Sequence, residues 1–195
     1  MKSNKAIFLD RDGTLNEDPG YLGDPEQVIL LPTVGEALSI LKNKYNFLLI
    51  VVSNQSGVAR GLITEDDVKK VNSRINELLS SYNVRIDEFY YCTAHPEYSS
   101  ADECVCRKPS PKMILDASEK FNIDLSKSYL IGDNISDIES AVNAGCKSIL
   151  VKTGYGVETI SMLQKQNKFP SFVAENLMDA VNFIIKDISG EKIGA

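Results

Sequence analysis

Two aspartates, Asp10 and Asp12, stand one residue apart in "AIFLDRDGTLN", directly after an apolar run. Ionised carboxylates this close repel by about 1 to 4 kcal/mol, depending on how far water screens them. Such an arrangement calls for a cation. Asp133 and Asp137, in "GDNISD", add two further oxygen donors. A hard divalent ion such as Mg²⁺ suits an all-oxygen set and completes its shell with water and substrate phosphate oxygens. The chemistry this points to is displacement at phosphorus, in which the ion lets an anionic nucleophile approach an anionic phosphate.

Within the pair the labour divides. One aspartate can take the phosphoryl group covalently, which splits a difficult displacement into two easier ones. A second carboxyl within reach can protonate the leaving alcohol and then activate water. Asp10 reads as the nucleophile and Asp12 as the acid/base. Successive side chains of an extended chain alternate, so Arg11 is expected to point away from both. Gly13 lets the chain turn at once, and the Thr14 hydroxyl can tie that turn. In "SNQSG" the Ser53 hydroxyl and the backbone N–H groups of Asn54, Gln55 and Ser56 form a nest for phosphate oxygens, and Lys108 of "CRKP" adds a positive point charge. Each piece alone has a plainer reading: an acidic surface turn, a polar loop, a helix cap, a solvated lysine. Their coincidence at the ends of successive strands carries the weight.

Those strands come from an alternation of short apolar runs with amphipathic stretches, the pattern of βα units around a parallel sheet. Strands are expected at Ala6 to Leu9, Phe47 to Val52, Glu88 to Cys92, Ser128 to Ile131 and Ser148 to Val151. Helix starts are marked by Thr33 with Glu36, Thr64 with Asp67, and Ser110 followed by Pro111. The helix after Asn134 sets Ile138, Ala141 and Val142 on one face and ends at Gly145. "NLMDAVNFIIKDI" reads as a final covering helix and "SGEKIGA" as a frayed tail. Ligands of open parallel sheets bind beyond the carboxyl ends of the strands. The expected fold is therefore α/β, a Rossmann-like doubly wound parallel sheet with helices on both faces, formed by residues 1–195 as a single domain.

The composition is that of an ordinary globular protein, 43% hydrophobic and 25% charged over 195 residues. A net charge of −6 disfavours nucleic acid, whose binding depends on Lys and Arg releasing counterions, and leaves a small molecule as the expected partner. The longest apolar run, "FLLIVV", is far short of the roughly 20 residues of a membrane span. "MKSNKAIFLD" has no long apolar signal region, which reads as cytoplasmic. A monomer is expected.

"FLDRDGT", "VVSNQSGVARG", "CRKPSPKM" and "IGDNISDI" resemble the four motifs of the haloacid dehalogenase superfamily of phosphohydrolases. More narrowly, they resemble its branch of heptose 1,7-bisphosphate and histidinol-phosphate phosphatases, over about Ala6 to Gly154. The short connection between Thr14 and the helix near Thr33 leaves little room for a large cap, and the resemblance implies Asp10 as nucleophile, Asp12 as acid/base, and Mg²⁺ on Asp10, the Asp12 backbone carbonyl and Asp133. It further implies substrate contacts from Arg11, from Asp18, Pro19, Gly20 and Tyr21, from Ser53, Asn54, Gln55 and Ser56, and from Arg107 and Lys108. The substrate position after the metal aspartate, often lysine in heptose phosphatases, is Asn134 here.

"CTAHPEYSSADECVCRKP" holds Cys92, His95, Cys104 and Cys106, a soft four-ligand set suited to structural Zn²⁺. The resembling families use a Cys-x-His pair followed by Cys-x-Cys, whereas Ala94 stands at the usual histidine and His95 follows one residue later. The alternative is that His95 faces substrate or solvent and the thiols are reduced cysteines. Cys146 reads as a small core residue. The function implied is removal of the 7-phosphate from D-glycero-D-manno-heptose 1,7-bisphosphate. Histidinol-phosphate hydrolysis and a non-catalytic binding protein on the same fold stand as alternatives, and an acidic balance disfavours a nucleic-acid 3'-phosphatase.

Overall fold

In a computed structural model describing residues 3–190, the chain forms a six-stranded sheet in the order β3-β2-β1-β4-β5-β6, with every neighbouring pair parallel. The strands are β1 (Ala6–Leu9), β2 (Leu48–Asn54), β3 (Glu88–Cys92), β4 (Tyr129–Gly132), β5 (Lys147–Val151) and β6 (Phe172–Ala174). The chain winds outward from β1 to β3, returns to the centre, and winds out again from β4 to β6. The reversal between β1 and β4 is the switch point at which such sheets open a crevice.

Both sheet faces are buried, so the central strands are apolar throughout. Ile7, Leu9, Leu49, Val51 and Ile131 share one cluster with α1 (Val34–Ser39), α2 (Glu65–Ser80) and α6 (Leu177–Ser189). Ala6, Phe8, Ile50, Val52 and Leu130 face the other way, onto α3 (Lys112–Phe121) and α4 (Ile135–Ala144). The period-two alternation of β1 thus divides the core between two helical layers.

The expected strands all form, within one or two residues at each end. β6, only three residues long, was not foreseen, because so short a run carries no periodic signal. The Thr64 and Asp67 pair forms a reciprocal capping box on α2. Thr33 does not cap α1: its backbone is left-handed at φ 66°, and its side chain makes no cap bond. Pro111 flanks α3, which starts one residue later at Lys112. α4 ends at Gly145 as expected and buries Ile138 and Ala141, while Val142 is exposed. Cys146 is buried. Of the expected tail, Ser189 closes α6 and Gly190 caps it, and residues 191–195 lie outside the described residues. Between β1 and α1 the regular structure is one 3-10 turn, Pro25–Gln27, and two isolated bridges, Asp12 to Asn16 and Asn16 to Leu30. None of the described helices is long and apolar enough to cross a membrane.

Candidate active site

Asp10 follows β1 and Asp133 follows β4, the two strands flanking the switch point, and Asp10 N–H continues the ladder to the Ile131 carbonyl at 2.9 Å. Carboxylate oxygens of Asp10, Asp133 and Asp137 lie within 4.8 Å of one another. Burial, then the charge of Asp10, pushes the Asp133 carboxyl far above the ordinary carboxylate range. Asp133 Oδ2 accepts a bond from Tyr155 N–H at 2.7 Å. Gly13 and Gly154 crowd the same oxygen so closely that a Cβ on either would stand 2.3 or 2.0 Å from it. Both have positive φ, 78° and 55°, a backbone state glycine adopts without strain. An all-oxygen donor set in a space that side-chain carbon is kept out of fits a small hard cation.

Lys108 lies at the floor of this cluster. Its Nζ donates to Asp10 Oδ1 and the Val52 carbonyl at 2.9 and 2.8 Å and closely to Asp137. Burial alone would lower its pKa, but Asp10 and Asp137 outweigh that and raise it. It is therefore a fixed charge. Asn54 grips the Lys108 main chain from both sides, accepting from its N–H at 3.0 Å and donating to its carbonyl at 3.2 Å. Asp137 is wholly buried and also accepts from Asn134 N–H, so it serves Lys108 and the start of α4 together.

Asp12 faces a different set of partners. Arg11 donates to both of its carboxylate oxygens, at 3.0 and 2.8 Å, and Asn16 and Gln55 add bonds at 2.9 and 3.0 Å. Burial pushes the Asp12 carboxyl up, but the Arg11 charge and these bonds more than offset it and hold it below its ordinary value. The expectation that Arg11 points away is thus corrected. Its guanidinium is 1% exposed, bonded to Asp12 and to Gln55 at 2.8 Å, and lines no part of the cleft. The cause is the turn at Gly13, which breaks strict alternation. Thr14 does not tie that turn either: its hydroxyl is buried without a partner, and Thr153 Oγ1 donates to the Gly13 carbonyl at 2.7 Å instead.

A cleft opens over Asp10, Asp12 and Asp133. Asp18, Gly20 and Tyr21 line one part of it, and Ser53, Asn54, Gln55 and Ser56 another. Arg107, Lys108 and Asn134 complete the expected set; Pro19 stays in the neighbouring loop without lining the cleft. Three residues missed in sequence also line it, Gly57, Ser136 and Tyr155. Tyr155 lies just beyond β5, where the strand-end rule would have found it.

The four-ligand zinc set is not assembled. Cys92 and Cys106 are joined as a disulfide, and Cys104 is a half-buried free thiol. His95 Nε2 meets Arg60 Nη2 at 2.9 Å, and its Nδ1 meets Glu97 N–H at 3.2 Å. The one-residue shift is the physical reason: Ala94 takes the buried position and the imidazole turns elsewhere. Among the described residues, Asp10, Asp133 and Asp137 are the one group of three or more His, Cys, Asp or Glu side chains close enough to share an ion.

A HAD-hydrolase-like family profile matches residues 105–180. The D-glycero-D-manno-heptose-1,7-bisphosphate 7-phosphatase of Chlorobaculum tepidum is 42% identical over 190 residues, covering 93% of this chain and 94% of its own. The chain belongs to the haloacid dehalogenase phosphatases. A second relative of this family member, the D-glycero-beta-D-manno-heptose-1,7-bisphosphate 7-phosphatase of Escherichia coli, is 43% identical over 78% of this chain and 82% of its own. The crystal structure of the D,D-heptose 1,7-bisphosphate phosphatase of B. bronchiseptica, complexed with magnesium and phosphate, superposes at TM-score 0.83. It is 30% identical, over 94% of this chain and 99% of that one. This haloacid dehalogenase phosphatase is a phosphoric monoester hydrolase by that membership.

Proposed function

We propose that the chain removes the 7-phosphate of D-glycero-D-manno-heptose 1,7-bisphosphate in a Mg²⁺-dependent reaction, through a phosphoryl group carried on Asp10. The observation that carries this is the meeting of Lys108, Asp10 and Asp133 at the switch point, with Nζ of Lys108 2.9 Å from Asp10 Oδ1. The names and near-complete coverage of the relatives support the sugar. Asp10 and Asp133 would hold the ion, which when bound offsets negative charge among the carboxylates and the phosphate.

An Asp10 oxygen forms a bond to phosphorus as the bond from phosphorus to the sugar oxygen breaks. Asp12 gives its proton to that departing oxygen. It then takes one from a water that attacks the phosphorus of aspartyl phosphate, freeing phosphate and Asp10. In the free protein Asp12 is held ionised, so the first step needs it protonated; a phosphate bound beside it adds the negative charge that raises its affinity for a proton. Lys108, Ser53 and the N–H groups after β2 counter the charge that grows on the phosphoryl oxygens. Arg107, half-buried on the cleft wall, suits the phosphate that is not cleaved. The proposal is of a single-domain, cytoplasmic monomer working on a small phosphorylated sugar. Initial rates on the α and β heptose bisphosphates, histidinol phosphate and an aryl phosphate, with and without Mg²⁺, test it. A wide preference for histidinol phosphate, or turnover indifferent to Mg²⁺, would overturn it.

A further inference from the structure

Tyr155 is fixed by its backbone and free in its side chain. Its N–H is bonded to Asp133 Oδ2 at 2.7 Å, and the residues before it are pinned by Thr153 on the Gly13 carbonyl. It precedes α5 (Gly156–Lys165) without giving that helix a side-chain cap bond. The ring is 54% exposed, makes no hydrogen bond among the described residues, and lines the cleft. An aromatic side chain left in solvent while its backbone holds a catalytic-site carboxylate is placed for a ligand.

A second ring stands on the other side. Tyr21, 48% exposed, rests on Gly57 so closely that a Cβ there would approach its Cδ1 to 2.8 Å. Gly57 belongs to the loop after β2, and Tyr155 to the loop after β5. In the sheet order, β2 and β5 flank the central pair β1 and β4, which end in Asp10 and Asp133. The two rings therefore rise on opposite sides of the reacting centre, beyond the polar groups that hold phosphate.

From this placement we infer that Tyr155 is a specificity-determining residue. With Tyr21 it forms an aromatic clamp that packs the C–H faces of a sugar ring in the leaving group, while phosphate is held below by charge. A pyranose offers such faces, whereas a short acyclic phosphate offers none. The inference deepens the heptose reading and rests on it for the particular sugar.

The test compares Tyr155→Ala and Tyr155→Phe with the wild type on heptose bisphosphate and on acetyl phosphate, which has no ring. The readout is the ratio of the two kcat/KM values, since a disturbed Asp133 would lower both alike. For Tyr155→Ala the ratio is expected to fall about tenfold, mostly through KM on the sugar, and Tyr155→Phe to stay within about threefold of the wild type. An equal loss on both substrates, an unchanged ratio, or a Phe variant as poor as the Ala variant would overturn the clamp. A wild type inert toward heptose bisphosphate would instead contradict the proposed function. The clamp is then judged by the same ratio and criteria with fructose 1,6-bisphosphate as the ring-bearing substrate.

Discussion

Arg11 forks onto the carboxylate of its own neighbour, Asp12, its Nε and Nη2 donating to the two oxygens at 3.0 and 2.8 Å. Adjacent residues of a strand cannot meet this way; the turn at Gly13 makes it possible. The buried guanidinium keeps Asp12 ionised and aimed, and Asp12 in turn is what allows a full charge to sit 1% exposed under the sheet edge. Removing either partner leaves the other's buried charge uncompensated, with only neutral hydrogen-bond partners remaining.

Arg11→Met should therefore destabilise the protein by about 3 kcal/mol, the lower end for breaking a buried pair because Asn16 and Gln55 still bond Asp12. Chemical denaturation measures this. Arg11→Lys, which offers no fork, should recover only part of the loss. Stability equal to the wild type in both variants would mean the pair carries no structural load.

Gly154→Ala should weaken Mg²⁺ binding as well as the fold, since its Cβ would also stand 2.7 Å from the Gly13 Cα at a positive φ. The new Cβ would stand 2.0 Å from Asp133 Oδ2 at a backbone φ of 55°, so Asp133 must swing away. The Mg²⁺ concentration for half-maximal rate is expected to rise about tenfold or more, as when the support of a metal ligand is disturbed. An unchanged Mg²⁺ titration would argue that Asp133 does not hold the ion.

The acids also set a pH dependence. Burial first, and then the charge of Asp10, raises the folded-state Asp133 carboxyl above the ordinary carboxylate range, and burial raises Asp137 in the same direction despite Lys108. The metal-free fold thus binds more protons than the unfolded chain in the window above ordinary carboxylate values, and its stability falls as pH rises through that window. Mg²⁺ competes with those protons. At one fixed Mg²⁺ concentration, the rise in Tm on adding metal should be larger at about pH 8 than at about pH 6. Differential scanning calorimetry reads it, and a shift equal at both values or larger at the lower one would contradict the assignment.

The two threonine signals separate what a sequence can and cannot say. Thr64 with Asp67 and Thr33 with Glu36 look alike along the chain, yet only Thr64 has the extended backbone, ψ 164°, from which a hydroxyl reaches N3. Thr64→Ala should cost about 1 kcal/mol in urea unfolding, and Thr33→Ala much less. Equal costs would mean that the cap geometry is not what matters.

The same contrast runs through the site. Asp10 and Asp133 were legible because each directly follows a strand whose apolar run is visible, and Lys108 because it follows the third strand after a long loop; a doubly wound sheet brings those segments together. The partners that tune them were not. Arg11 on Asp12, Asn54 on Lys108, Asp137 beneath Lys108 and Thr153 on Gly13 depend on where a turn aims a side chain, which spacing does not encode. The arrangement of the cysteine loop differs from the expected four-ligand set for a related reason. Cys92, His95, Cys104 and Cys106 have ligand types at plausible spacing, but a shift of one residue in an extended run moves the imidazole to another side. Tyr155 carries no motif of its own, and only the rule that ligands bind beyond the strand ends, applied to β5, points to it.

The central claim is that Asp10 carries the phosphoryl group. Acid quench during turnover of heptose bisphosphate with Mg²⁺, followed by borohydride reduction and peptide mass spectrometry, tests it most directly. The account predicts that an acyl phosphate at Asp10 is trapped and reduced to homoserine, and that Asp10→Asn folds normally but neither traps nor turns over. Homoserine at another aspartate, or full turnover by a folded Asp10→Asn protein, would contradict it.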